Sequence, residues 1–359
     1  MVQFNDPHAK VSPLYMFRGA RNPPAETSKT FDGKTVLVTG CNTGVGYQAA
    51  LKIAARNPQR LILGTRTIAK GEATRDKILA QVPTLDRARI DIFEIEYASF
   101  RSVCAFADAV KASTPTLDCV LLSAGVAMPA YETTTEKGVP GSWEMALKVN
   151  VLSAALLAIE LLPLLKRTPG SILEFVGSCG YCNVTSQQLA PMLEPDTPAA
   201  APAAGDLKVL EYFNRADRWT MESGYCEPKL LLMFVLQGLV ESLGGSQGKL
   251  PGSSSGSTPI LLACCPNQTK TDLGRHFSFG LRLSMKFFNA VVARTAEQGS
   301  RVLVSGLTLG EEANGRMWMN DRFDDLSPGL TAEEWERLQK RAWGEIVQVL
   351  TQYKPGLSI

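Results

Sequence analysis

An α/β fold with a doubly wound parallel sheet is predicted by three observations. Short β-branched or aliphatic runs recur from Lys34 to Cys264, amphipathic stretches of helical period separate them, and the first run opens directly into a glycine-rich turn. Repeated units of this kind favour parallel pairing, because each crossover lays a helix on one face and the strands end up covered on both. Strands are expected at 35–39, 61–64, 90–95, 119–123, 171–177 and 259–264. The first, Thr35-Val-Leu-Val-Thr39, has the apolar character of a strand buried on both faces.

Two segments break the alternation. Residues 183–218 hold Pro191, Pro195, Pro198 and Pro202 in an Ala-rich tract and read as a loosely packed insertion in a lid position. Residues 244–257, rich in Gly and Ser, read as a flexible surface loop. Residues 1–30 read as a poorly structured arm ahead of one domain over 31–330, and 331–359 as a C-terminal tail. Thr331 followed by Glu333 and Glu334 predicts a capped helix over 331–353 of that tail.

The 359 residues are 45% hydrophobic and 20% charged, which supports a globular core. Lys+Arg 37 against Asp+Glu 35 leaves a net charge of +2, too little to neutralise a nucleic-acid backbone. Residues 1–30 lack the apolar centre of a secretory leader. The longest apolar run, 149–165, is broken by Ser153, Glu160 and Pro163 and is too short to span a bilayer. Eight cysteines, mostly within apolar stretches of a chain too large to need staples, fit a reducing compartment, and a cytoplasmic protein is expected. Cys179-Gly-Tyr-Cys182 has the spacing of a zinc knuckle. Cys264 and Cys265 form no second such pair and the histidines are only His8 and His276, so core packing is the better reading and no metal is expected.

Chemistry concentrates in three places. In Thr39-Gly-Cys-Asn-Thr-Gly-Val-Gly46, Gly40, Gly44 and Gly46 let the backbone turn sharply and approach a pyrophosphate, with Asn42, Thr43 and Val45 completing the turn. The same turn can join strand to helix with no ligand; its place after the first strand favours a dinucleotide. Arg66 follows the second strand, where an acid would bond a ribose hydroxyl and an Arg suits a 2′-phosphate; a solvated Arg is the plain alternative. Lys70 is a weaker second charge. Tyr225 and Lys229 stand four apart at the opening of an apolar helix over 230–243, with Pro228 in a first turn where its missing N–H is harmless. An ammonium beside a phenol lowers its pKa from the usual value of about 10, as proton transfer near neutral pH requires.

Taken together, from Lys34 to about Asn320, the chain resembles the short-chain dehydrogenase/reductase family, in particular its retinol-dehydrogenase-like branch. Thr39–Gly46 is similar to the TGxxxGxG motif, and Gly64-Thr-Arg-Thr-Ile-Ala-Lys-Gly-Glu72 to the segment that follows the second strand. Glu96, beside Tyr97, stands where the family usually has an Asp near the adenine. Leu122-Ser123-Ala124-Gly125 corresponds to NNAG with both Asn residues replaced. Lys148-Val-Asn150 supplies the helical Asn, Phe175-Val-Gly-Ser178 the catalytic Ser, and Tyr225 with Lys229 completes the tetrad. Pro266-Asn267-Gln-Thr269-Lys-Thr271 resembles PGxxxT with Asn267 replacing Gly, and 295–315 resembles the last helix and strand. Ser178 and Tyr225 lie further apart than is usual, the excess being the insertion.

The resemblance implies a single Rossmann-like domain of about seven strands, binding NADP(H) in preference to NAD(H). It further implies reversible hydride transfer to a carbonyl or from a secondary alcohol. Tyr225 would carry the proton, Ser178 hold the substrate oxygen, Lys229 lower the Tyr pKa and hold the ribose, and Asn150 anchor a water-mediated proton path. Thr271 and the Pro266–Asn267 backbone would hold the carboxamide. The apolar character of 183–218 and 272–292 suggests a bulky polyketide, terpenoid, steroid or retinoid as substrate, as in secondary metabolism. Rival readings are a non-redox isomerase or cyclase that keeps the cofactor structurally, and a cofactor-sensing protein without turnover, for which Leu122 and Ser123 speak. Residues 280–294 are amphipathic and basic; a substrate-covering helix is preferred there to a membrane contact. A homo-oligomer is compatible with the resemblance.

Overall fold

The computed structural model describes residues 11–137, 141–193, 208–247, 249, 258–275, 277–323 and 329–359. All six expected strands form: β1 (Thr35–Thr39), β2 (Arg60–Thr65), β3 (Ile90–Glu94), β4 (Cys119–Leu122), β5 (Ile172–Val176) and β6 (Ile260–Cys264). Two more extend the sheet, β7 (Met317–Met319) and β8 (Arg322–Phe323), giving the order β8-β7-β6-β5-β4-β1-β2-β3. Every pairing is parallel except β7 with β8. The family resemblance implied seven strands; the eighth returns across Asn320 and Asp321, whose φ values of 53° and 57° are those of a tight hairpin turn. Strand order reverses between β1 and β4, so a crevice opens at their carboxyl ends, the place where open α/β sheets bind ligands.

Helices Gly44–Ala54, Ile68–Gln81 and Ala296–Gly306 cover one face, and Phe100–Ser113, Met145–Lys166 and Ser223–Ser242 the other. Helix Met145–Lys166 is long and apolar enough to cross a bilayer, but 94% of its apolar window lies inside the fold, where it serves as a core helix.

Three expectations need correction. The N-terminal arm carries a helix, Pro13–Arg21, capped by Ser12, whose Oγ accepts from Tyr15 N (3.1 Å). Arg294 holds it: the buried guanidinium donates to the carbonyls of Gly19 (2.8 Å) and Asn22 (3.0 Å) and to Asn320. No local pattern could announce a partner that distant. The insertion, expected to be loose, carries helices Ser186–Leu193 and Lys208–Phe213 on either side of 194–207, with Leu189, Val209 and Leu210 fully buried. Residues 194–207, which hold three of the four prolines, lie outside the described residues. The C-terminal helix Ala332–Tyr353 has the expected capping box between Thr331 and Glu334, yet it is no appended tail. It buries Trp335, Leu338, Ile346 and Leu350 in the main core and grips both ends of the insertion. Glu345 accepts from Val209 N (3.0 Å) and Leu210 N (2.8 Å), and Arg341 and Arg337 donate to the carbonyls of Met192 and Leu193. Of the 244–257 loop, the described part closes with a bridge between Ser246 and Lys249; 248 and 250–257 lie outside.

Candidate active site

The glycine turn is dictated by crowding. Gly40 has φ 68°, and a Cβ there would stand 2.6 Å from Ala124 N; one on Gly46 would stand 2.3 Å from Gly40 O. Only bare backbone lets the end of β1 lie against Ala124-Gly125 at the end of β4. Gly44, at φ 61°, faces Thr271 across the crevice. Thr43 ends the turn without a side-chain cap, so the first N–H groups of helix Gly44–Ala54 have no capping oxygen and present the positive end of the dipole. Asn42 and Val45 are half-buried beside them, and the buried Ser123 Oγ, next to Gly46, has no hydrogen-bond partner. An uncapped helix start, an orphan hydroxyl and backbone stripped of side chains fit a pyrophosphate.

Arg66 stands exposed after β2, but Glu96 holds it, with Nε to Oε2 at 2.9 Å. Glu96 also accepts from Ala98 N (3.1 Å). Tyr97 turns inward: its hydroxyl shares a 2.8 Å hydrogen bond with Thr39 Oγ1, and burial pushes its pKa up, so the ring belongs to the core.

Asn150 lies in a π-helical turn, Lys148–Leu152, inside the core helix, a distortion that recurs at functional sites. Its Nδ2 donates to Val126 O and its Oδ1 accepts from Val126 N, each at 2.9 Å, so both halves of the amide clamp the segment after Gly125. Nearby, Lys148 is buried against Glu136 (3.3 Å), and burial pulls its pKa down to about 8.

Ser178, Tyr225 and Lys229 meet at the carboxyl end of β5. The Ser178 hydroxyl accepts from Gly180 N (3.1 Å), and both this hydroxyl and the Tyr225 ring border Gly180. Lys229 is buried and donates to Val176 O at 2.7 Å. The expected lowering of the phenol pKa by the ammonium is not what the geometry produces. Burial pushes Tyr225 up and the Ser178 side chain opposes it, while Lys229, turned to a carbonyl, is itself pulled down to about 8 by burial. The helix also begins earlier than expected, at Ser223, which puts Pro228 in its second turn, where no N–H exists to bond the Gly224 carbonyl. Glu227, between the two motif residues, takes a two-pronged bond from Arg218 (2.8 and 2.5 Å), and Arg218 lies over the Tyr212 ring (3.9 Å). The end of the insertion is thereby tied to the catalytic helix.

The loop after β6 explains its own departure from PGxxxT. Asn267 has φ 61°, the left-handed conformation that glycine would supply and that Asn tolerates best among other residues. Its Oδ1 accepts from Gln268 N (2.8 Å), while Nδ2 is buried without a partner against Gly19. Thr269 Oγ1 donates to Pro266 O (3.0 Å), and Thr271 Oγ1 accepts from Leu273 N (3.3 Å).

Two residues of this site escaped sequence reasoning. Arg294 pairs its backbone with Gln268 and Lys270 (2.9 and 2.8 Å) while its side chain holds the N-terminal helix. Cys265 Sγ accepts from Cys179 N (3.2 Å) and Asn267 N (3.3 Å). The Cys179 thiol, these N–H groups and Lys229 hold its pKa below the usual thiol value despite burial. Neither belongs to a motif; their only signal is position, beside Pro266 and Thr295.

A family model for short chain dehydrogenase matches residues 34–188. The chain is 54% identical over 355 residues to Short-chain dehydrogenase sdnK of Sordaria araneosa, covering 98% of this chain and 99% of that one. It is 34% identical over 354 residues to Short-chain dehydrogenase/reductase ffsI of Aspergillus flavipes, covering 97% and 95%. Among solved structures, a short chain dehydrogenase from Salmonella enterica serovar Typhi superposes with TM-score 0.55 at 18% identity, over 83% of this chain and 100% of that one. A putative short chain dehydrogenase from Escherichia coli CFT073, complexed with NADPH, gives TM-score 0.55 at 18% identity over 82% and 100%. These structural likenesses concern the fold, and the matches name the family without singling out the retinol-dehydrogenase-like branch.

Proposed function

The chain belongs to the short-chain dehydrogenase family of oxidoreductases, and from that premise we propose that it moves hydride between NADP(H) and a bulky hydrophobic ketone or secondary alcohol. The observation that carries this reading is the convergence of Ser178, Tyr225 and buried Lys229 at one strand end, opposite the uncapped glycine turn. A bound nicotinamide supplies the hydride for reduction, or takes it in the reverse direction. Its pyrophosphate would rest on Gly40–Gly46, its adenine half between Arg66, Glu96 and Ser123–Gly125, and its carboxamide on Pro266, Asn267 and Thr271.

The rest is the work of the chain. Ser178 holds the substrate oxygen where negative charge develops, and Tyr225 delivers the proton to it, with its phenol kept protonated by burial. Lys229, on leaving the Val176 carbonyl, stabilises the phenolate that remains. Asn150 keeps the Val126 segment in place behind them. Positioning by such fixed groups contributes several kcal/mol, on the order of the effects of oriented intramolecular catalysis. A hydrophobic substrate is supported by helix Ser186–Leu193, which follows the strand end that carries Ser178.

NADP(H) preference rests on Arg66, for which a 2′-phosphate would compete with Glu96. Fluorescence titration of both reduced cofactors tests it. Arg66→Asp is expected to weaken NADPH binding about tenfold or more, as loss of a charge-assisted contact does, and to spare NADH. Equal affinity of the parent for the two cofactors would refute the assignment to Arg66.

A further inference from the structure

Surface helices bury their apolar side, but helix Phe279–Val292 also carries apolar side chains on its outside. Leu281, Met285, Asn289 and Val292 turn toward the protein. Phe279, Leu283, Phe287 and Val291, one turn apart and joined by Phe288, form a stripe on the outside; Phe279 is 75% exposed, Phe287 71% and Val291 57%. Helix Pro13–Arg21 packs beside it and adds exposed Leu14. Six of the eight large apolar side chains exposed among the described residues are thus on these two helices, a concentration that a solvent-facing surface does not explain.

Charge identifies the occupant. Arg282 and Lys286 border the stripe, and Arg18 and Arg21 are exposed on the neighbouring helix. No Asp or Glu occurs from 273 to 296 or from 11 to 25. A second copy docking through this face would set these cations against their own counterparts. An apolar stripe edged by cations matches a lipid surface with anionic headgroups, where the rings enter the acyl boundary and the long cationic side chains reach the phosphates.

We propose that helices Pro13–Arg21 and Phe279–Val292 form a peripheral docking face for anionic membranes, lying in the plane of the interface and not crossing it. The outer helix begins a few residues after Thr271, so docking would set the active-site crevice close to the bilayer.

Co-sedimentation of the full chain with phosphatidylcholine vesicles, with and without phosphatidylserine, tests this. The parent is expected to partition onto the phosphatidylserine vesicles. A Phe279→Ser/Phe287→Ser variant with an unchanged thermal transition should partition about tenfold less or worse. Arg282→Gln/Lys286→Gln should reduce the dependence on phosphatidylserine. Failure of the parent to bind, equal binding to neutral vesicles, or unchanged binding of the Phe variant would overturn the proposal. So would a concentration-dependent dimer dissolved by the same Phe substitutions in a chain that ignores vesicles.

Discussion

Helices Ser223–Ser242 and Phe279–Val292 are both apolar around much of their circumference, yet the first is buried almost throughout from Gly224 to Val240 and the second turns most of its phenylalanines to the outside. The difference lies in what covers them. Against the catalytic helix lies the C-terminal helix, with Trp335 edge-on to Phe234 (4.8 Å between centroids) and its indole N–H on Gln237 (2.6 Å). Trp343 fills the space that a side chain on Gly238 would need. Among the described residues, the outer helix packs chiefly against the short N-terminal helix, with Gln268 bonding its Asn289 (2.8 Å). Apolar composition states that a helix wants a partner; it does not state whether the chain itself provides one.

The sharpest separation of chemistry from packing is Tyr225→Phe. It keeps the buried ring and removes the proton, so kcat should fall by about 10²–10⁴-fold while the denaturant midpoint stays within error. A parent-like rate would break the tetrad assignment.

Trp335→Ala uncovers the catalytic helix and should cost about 3–5 kcal/mol in chemical denaturation, whereas Phe287→Ala on the outer helix should stay within about 0.5 kcal/mol. Similar losses for the two would show that the outer helix is covered after all.

Gly238→Ala sharpens the contrast at one atom. A Cβ there would stand 2.3 Å from the Trp343 ring, and overpacking of this kind should destabilise by about 1–3 kcal/mol. The same change at Gly280, where a Cβ meets nothing within 4 Å, should be neutral or favourable to the helix.

The smallest effect is a titration. Burial lowers Lys229 from 10.5 to about 8. Below that range folded and unfolded chains both hold the proton and the buried charge opposes folding. Between about 8 and 10.5 the unfolded chain holds a proton that the fold has released, so stability rises with pH. Relative to Lys229→Met, the parent should therefore gain thermal stability across this window. Parallel curves would mean that Lys229 titrates normally.

Much of this molecule was legible in the residues. Six strands, the glycine turn and the Thr331–Glu334 capping box are local patterns, readable because strand period, turn conformation and helix ends depend on neighbours a few residues apart. Even the eighth strand had its signal in Asn320-Asp321. The remainder was decided by contacts between residues far apart in the chain. Arg294 converts the N-terminal arm into a helix by giving its end carbonyls a donor, and Glu345 turns the return of the insertion into a capped helix. Glu96 engages the guanidinium expected to read a phosphate, and Lys229 bonds the Val176 carbonyl. A side chain's type states which hydrogen bonds and charges it can satisfy; which partner it satisfies them with, and at what dielectric, exists only once the chain has closed on itself.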